Sequence, residues 1–200
     1  MIFRKIEDRL YKVDVDVEDE SKWVEIQTTE NVQFIAVSED QLPQNPYPVE
    51  ALYKIDSVTN NIVLDIERML ENYKTDLIAT INKQRADLIE DGYLWTRPNS
   101  TEKYLISLDD LGQKGLITLA LQTLLGITEG LYFISKDNII IHLTVQEAQD
   151  LAIKAGTYVS TIIYQARIYK DRILAAASFE EIETILEEME TMLQQLKGQS

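Results

Sequence analysis

Cysteine is absent from all 200 residues. That excludes disulfides, thiolate nucleophiles and the zinc sites that use Cys. Histidine is nearly absent, His142 being the single copy. It follows Ile139-Ile140-Ile141, which suits a structural or surface position in a strand. A lone imidazole without a nucleophile and an orienting partner makes no catalytic triad. The seven glycines are dispersed, so neither a Gly-x-Gly-x-x-Gly turn nor a P-loop occurs, and there is no Gly-x-Ser-x-Gly elbow. Positive charge is scarce: 19 Lys and Arg stand against 34 Asp and Glu, a net of −15. Such a chain repels phosphate backbones and anionic lipid, which argues against nucleic-acid and membrane partners. Long apolar runs are lacking as well. The most apolar stretch, Leu116 to Ile127, is interrupted by Thr118, Gln122, Thr123 and Gly126 and falls short of the ~18 residues of a spanning helix. The opening segment, Met1 to Arg9, is charged and has no apolar core. No signal peptide is therefore expected, and the reading is a soluble protein made in the cytoplasm.

Against these absences stands a strong helical pattern at the C-terminal end. One apolar stripe runs Ala148, Ala152, Ala155, Val159, Ile162, Ala166, Tyr169, Ile173 and Ala176. A second runs Phe179, Ile182, Leu186, Met189, Leu193 and Leu196. Steps alternating between three and four residues give the period at which helices pack on one another. Thr144-Val-Gln-Glu147 and Ser178-Phe-Glu-Glu181 are capping boxes. They predict two helices, about 144–177 and 179–197, folded as an antiparallel hairpin. A third helix is expected over about 65–91, from Ile66, Leu70, Tyr73, Leu77, Ile81 and Leu88, with Gly92 just past its end. At 1.5 Å per residue it is roughly 40 Å long. Ser107-Leu-Asp-Asp110 reads as the start of a fourth helix, which Gly126 closes.

The rest reads as short strands. Tyr11 to Val17 alternates apolar and charged residues, the period of a half-buried strand. Trp23–Gln27 and Val32–Val37 are further candidates. Three prolines between Pro43 and Pro48 oppose both helix and ladder and mark a boundary. Hairpins are expected at 51–64, at 93–106 and at 131–143, each around a polar turn. The fold class is α+β: a small β-rich N-terminal region, 1–50, then a mainly helical domain, 51–200, with short β-hairpins and a C-terminal helical hairpin. Acid concentrates at the two ends. Residues 1–50 hold 5 basic and 12 acidic residues, a net of −7, and residues 179–200 hold 6 Glu and 1 Lys, a net of −5.

Four constellations invite chemistry. Asp14, Asp16, Glu18 and Glu25 occupy positions 1, 3, 5 and 12 of a calcium loop. Position 6 needs Gly and is Asp19, position 8 is normally apolar and is Ser21, and the alternating valines favour an acidic strand edge. Asp109-Asp110 and Glu180-Glu181 are paired carboxylates, yet both fall in first turns of predicted helices, where acid meets the positive end of the dipole. Trp95, with Tyr93 and Arg97, offers a stacking platform for a sugar, but core packing explains Trp95 better. No catalytic, cofactor or metal residue is assigned on these grounds.

The ordered set Ile81-Asn82, Arg85, Gly92-Tyr93, Tyr104, Ser107, Asp137-Asn138, Leu143-Thr144, Glu147, then Ala166 through Lys170 to Ile173, Ala175-Ala176, Ser178, Glu180-Glu181 and Ile185 resembles an uncharacterised domain family. Members occur in phage tail and tail-fibre-associated proteins. The resemblance spans about Asp76 to Glu187, and Phe133 departs from it where some members carry Trp. It implies a structural tail component (baseplate, adaptor or fibre-linking subunit) that is not an enzyme. Its partners would be other tail proteins and copies of itself, and its place the virion, after synthesis in the host cytoplasm. A tail-fibre assembly chaperone and an acidic cytoplasmic regulator or inhibitor are the alternatives. A carbohydrate enzyme using scattered carboxylates ranks last.

Overall fold

The computed structural model describes residues 2–13, 33–37 and 39–198. The chain divides into two compact units, Met1–Thr75 and Asp76–Ser200, and the division falls inside a helix.

In the first unit five short strands form one antiparallel sheet in the order β3-β1-β2-β4-β5. They are β1 (Ile2–Ile6), β2 (Arg9–Lys12), β3 (Gln33–Ala36), β4 (Tyr53–Ile55) and β5 (Ile62–Leu64). The expected strand at 32–37 is β3, while β1 is an addition. Trp23–Gln27, most of the Tyr11–Val17 candidate and the carboxylates Asp14, Asp16, Glu18 and Glu25 lie outside the described residues. Pairing of β4 with β2, Arg9 opposite Lys54 and Leu10 opposite Tyr53, puts residues 51–64 with the N-terminal sheet instead of with the helical domain. Phe3, Leu10 and Val37 form the core, and the Phe3 ring meets Tyr53 edge-on at 5.6 Å. The β4–β5 turn is held by Asp56, whose carboxylate accepts from the Val58 and Thr59 amides at 3.1 and 2.7 Å. Asn60 supplies its left-handed residue, at φ 57°.

Helix α1 (Ile66–Asp91) carries the chain from one unit into the next. The second unit then alternates hairpins and helices: β6 (Tyr93–Thr96) with β7 (Lys103–Ile106), α2 (Asp110–Leu124), β8 (Tyr132–Ile134) with β9 (Ile140–His142), α3 (Val145–Ala175) and α4 (Phe179–Lys197). The α+β class and all four expected helices are present. Gly92, at φ 94°, cannot take a side chain, because a Cβ there would lie 2.6 Å from the Ile106 carbonyl oxygen. It lets the chain leave α1 and enter β6 against β7. The two left-handed asparagines at the next turns, Asn99 and Asn138, repeat the solution used at Asn60.

One core runs through this unit, from Leu88 and Trp95 through Leu116, Phe133 and Ile141 to Ala148, Ala155, Ile162 and Leu196. The predicted α3 stripe is buried at Ala148, Ala155, Val159, Ile162, Ala166, Tyr169 and Ile173, joined by Leu151 and Tyr158. On α4 the core takes Ile185, while Leu186 is only half-buried. Thr144 caps α3 in the expected box: its hydroxyl accepts from the Glu147 amide, and the Glu147 carboxylate accepts from the Thr144 amide at 2.8 Å. Ser178 caps α4, with the Glu181 carboxylate accepting from the Ala177 amide at 2.6 Å. The cap of α2 differs from expectation. It is Asp109, accepting from Gly112 at 2.7 Å, and not Ser107. A Cβ on Gly112 would sit 2.1 Å from the Ser107 carbonyl oxygen, so Ser107 packs its backbone against the first turn and leaves the capping to Asp109.

Candidate functional site

Trp95 is fully buried, and its indole N–H donates to Asp150 Oδ2 at 2.9 Å. The Tyr93 ring lies 5.2 Å from that of Tyr158. Arg97 is spent on three acceptors: Glu147 Oε1 at 2.7 Å, Glu102 Oε2 at 3.2 Å and the His142 carbonyl at 3.1 Å. A sugar-stacking platform therefore does not form. The group is a polar clasp tying the β6–β7 hairpin to the start of α3. The Arg97 hydrogen bond is the main reason the Glu147 carboxyl is held down to about 2; desolvation opposes it and the bonds from Thr144 add to it. Arg97 is pushed upward in return.

His142 is exposed on β9, opposite Tyr132 of β8. Asp109 and Asp110 serve the start of α2, as Glu180 and Glu181 serve the start of α4. Among the described residues no group of three His, Cys, Asp or Glu is placed to hold a metal ion, and no helix is long and apolar enough to cross a membrane.

One polar cluster carried no sequence signal. In the first unit the Asp65 carboxylate is buried and faces Arg68 Nε at 3.4 Å, with Arg9 and Lys54 each at 4.0 Å. The β2–β4 register brings Arg9 and Lys54 together. A buried carboxylate without cations would be strongly unfavourable, so the cluster reads as a structural solution.

The surface is where this molecule departs from an ordinary soluble domain. Helix α2 is apolar on both sides. Leu116 and Leu119 face the core, whereas Ile117, Leu121, Leu124 and Leu125 stand 60, 51, 81 and 78% exposed. A helix apolar all round normally lies inside something. The β8–β9 hairpin repeats the pattern. Phe133 opposite Ile141 points inward, while Ile134 opposite Ile140, and Tyr132 opposite His142, point outward. A half-buried strand should carry polar residues on its outer face, yet Tyr132, Ile134 and Ile140 are about half exposed. Scattered surface apolars need no explanation, but two elements with apolar outer faces do. The close fit beneath them is set by Gly115, where a Cβ would come 3.1 Å from the Phe133 ring.

Comparison with known proteins bears on the same unit. A family described as a domain of unknown function, DUF4376, matches residues 72–190. No curated protein and no solved structure matches the chain.

Proposed function

We propose, for a chain that belongs to the DUF4376 family, a role in assembly: a structural component of a phage tail, such as a baseplate, adaptor or fibre-linking subunit. The observation that carries this reading is the pair of apolar outer faces in the family-matched region, on α2 and on the β8–β9 hairpin. Burying such surface against a partner is favourable by about 25 cal/mol per Å² before the costs of association. An adaptor needs at least two contact surfaces, and these are two. The phage-tail part rests on the ordered motif set from Ile81 to Ile185.

The test is mass spectrometry of tail particles purified from cells that express the chain. Fixed stoichiometry in washed particles supports a structural role. Recovery in the lysate alone, bound to a fibre protein, would replace the reading with that of an assembly chaperone.

A further inference from the structure

We infer that the outer face of α2 pairs with the same face of a second copy, the two helices packing antiparallel about a two-fold axis near Leu121. The inference deepens the assembly reading by naming the partner at one of its surfaces, and it rests on that reading.

Three observations lead to it. The exposed residues Ile117, Leu121 and Leu124 step by four and then three, the seam by which one helix packs on another. Leu125 and Thr118 flank them, so the seam accepts a helix lying along it. The second observation concerns who that partner is. From Gly115 to Thr128 there is no charged residue, in a chain whose net charge is −15. Two copies of so acidic a chain repel each other, and the repulsion is least where neither brings charge. A different protein chosen by an acidic partner would be selected through complementary charge, and this face carries none to be read. An isologous contact needs only that the patch complement itself, which an uncharged row of Leu and Ile does.

The third observation sets direction. Acid gathers at one end of the helix, where Asp109 and Asp110 open its first turn, and no charge follows Lys114 before α2 ends at Leu124. A parallel pair sets these carboxylates of one copy beside those of the other, while an antiparallel pair keeps them apart and opposes the two helix dipoles. Leu121 is the middle of the exposed seam from Ile117 to Leu125. Leu121 then meets its own symmetry mate, and Ile117 of each copy meets Leu125 of the other.

The Cys-free chain makes the test clean. Single-cysteine variants Ile117→Cys, Leu121→Cys and Leu125→Cys are made in the full chain, with Val58→Cys, 89% exposed in the first unit, as the control for random collision. All four sites are exposed, so the fold is not at stake. On mild oxidation Leu121→Cys should cross-link about tenfold or more faster than the control, because pairing raises the local thiol concentration. Ile117→Cys and Leu125→Cys should cross-link when mixed with each other and poorly alone. In light scattering the unmodified chain should have dimer mass. Leu121→Glu and Leu121→Lys should each be monomers, and their equimolar mixture should recover the dimer. A monomeric mass at about 100 µM would overturn the pairing, and so would equal cross-linking of all three variants alone, which marks a parallel helix pair. A monomer that still enters tail particles overturns the pairing and leaves the assembly role intact. A dimer absent from particles does the reverse.

Discussion

Replacing Glu147 with Gln should lower the stability of the chain by about 2 kcal/mol at neutral pH and flatten its acid dependence. In the native chain the carboxylate takes Arg97 Nε at 2.7 Å and Nη2 at 3.3 Å, and the two side chains are 14 and 28% exposed. Its carboxyl is held at about 2 against an ordinary 4.5, and each pK unit is worth about 1.4 kcal/mol, which gives an upper limit of about 3.4 kcal/mol. Gln keeps one acceptor oxygen for the capping box with Thr144 and loses the charge and the second acceptor, and the contact is partly solvated, so the expected loss lies below that limit. The sign follows from the direction of the shift. A carboxyl lowered in the folded state contributes fully above its unfolded value, and the contribution disappears as pH falls from about 5 towards 2. Urea unfolding followed by circular dichroism at pH 7, 5, 3 and 2 measures this. The native chain should lose about 2 kcal/mol more than Glu147→Gln over that range, and the curves should converge at the acid end. A double-mutant cycle with Arg97→Met should return a coupling of at least about 1 kcal/mol. Parallel pH curves, or a neutral-pH loss below about 0.5 kcal/mol, would show that the clasp is a solvated contact and that acid sensitivity lies elsewhere.

Other perturbations test other parts of the fold. Ile173→Asp places a carboxylate at a fully buried site on α3 and should abolish cooperative unfolding of the second unit. A folded variant that merely changed its subunit number would mean the seam lies between chains. Asp65→Asn leaves Arg9, Lys54 and Arg68 without their shared carboxylate and should cost about 3 kcal/mol by urea titration; a neutral result would show that these cations are satisfied by water. Gln84→Met removes a buried side-chain oxygen that has no hydrogen-bond partner among the described residues, beside a cavity of about 20 Å³ lined by Ile81, Leu88 and Ile162. It should raise stability by about 1 kcal/mol, and a loss of that size would mean the cavity holds a water bonded to that oxygen.

The helices were legible because their signals are local. Thr144, Ser178 and Gly92 act within a turn of where they stand, and the stripe from Ala148 to Ile173 needs no knowledge of its partner. The β1–β2 hairpin was not legible. Its two-residue turn is Glu7-Asp8, and Glu7 takes φ 56°, a conformation usually signalled by Asn or Gly. The Ser107 assignment failed because a cap is chosen by backbone geometry, and the approach of the Ser107 carbonyl to Gly112 is invisible in a three-residue motif. The Asp65 cluster draws on residues 9, 54, 65 and 68, which only the sheet register unites. The outer face of α2 lay within the most apolar run of the chain, Leu116 to Ile127. Read against membrane length it was merely too short; read around the helix axis it is apolar on both sides.

Helix α3 has a consequence of a different kind. Its 31 residues span about 46 Å at 1.5 Å per residue, without a proline to bend it. At one end it is stapled to the β6–β7 hairpin through Arg97 and Glu147; at the other it hands over to α4 at Ser178. In a repeating assembly such a rod acts as a gauge. Adding one residue to it would lengthen the rod by only about 1.5 Å but would rotate everything beyond by about 100°. The spacing would hardly change, while the direction in which the far end faces its neighbour would be lost. Length variation among workable versions of this helix is therefore expected in steps of three or four residues, or seven, and not of one.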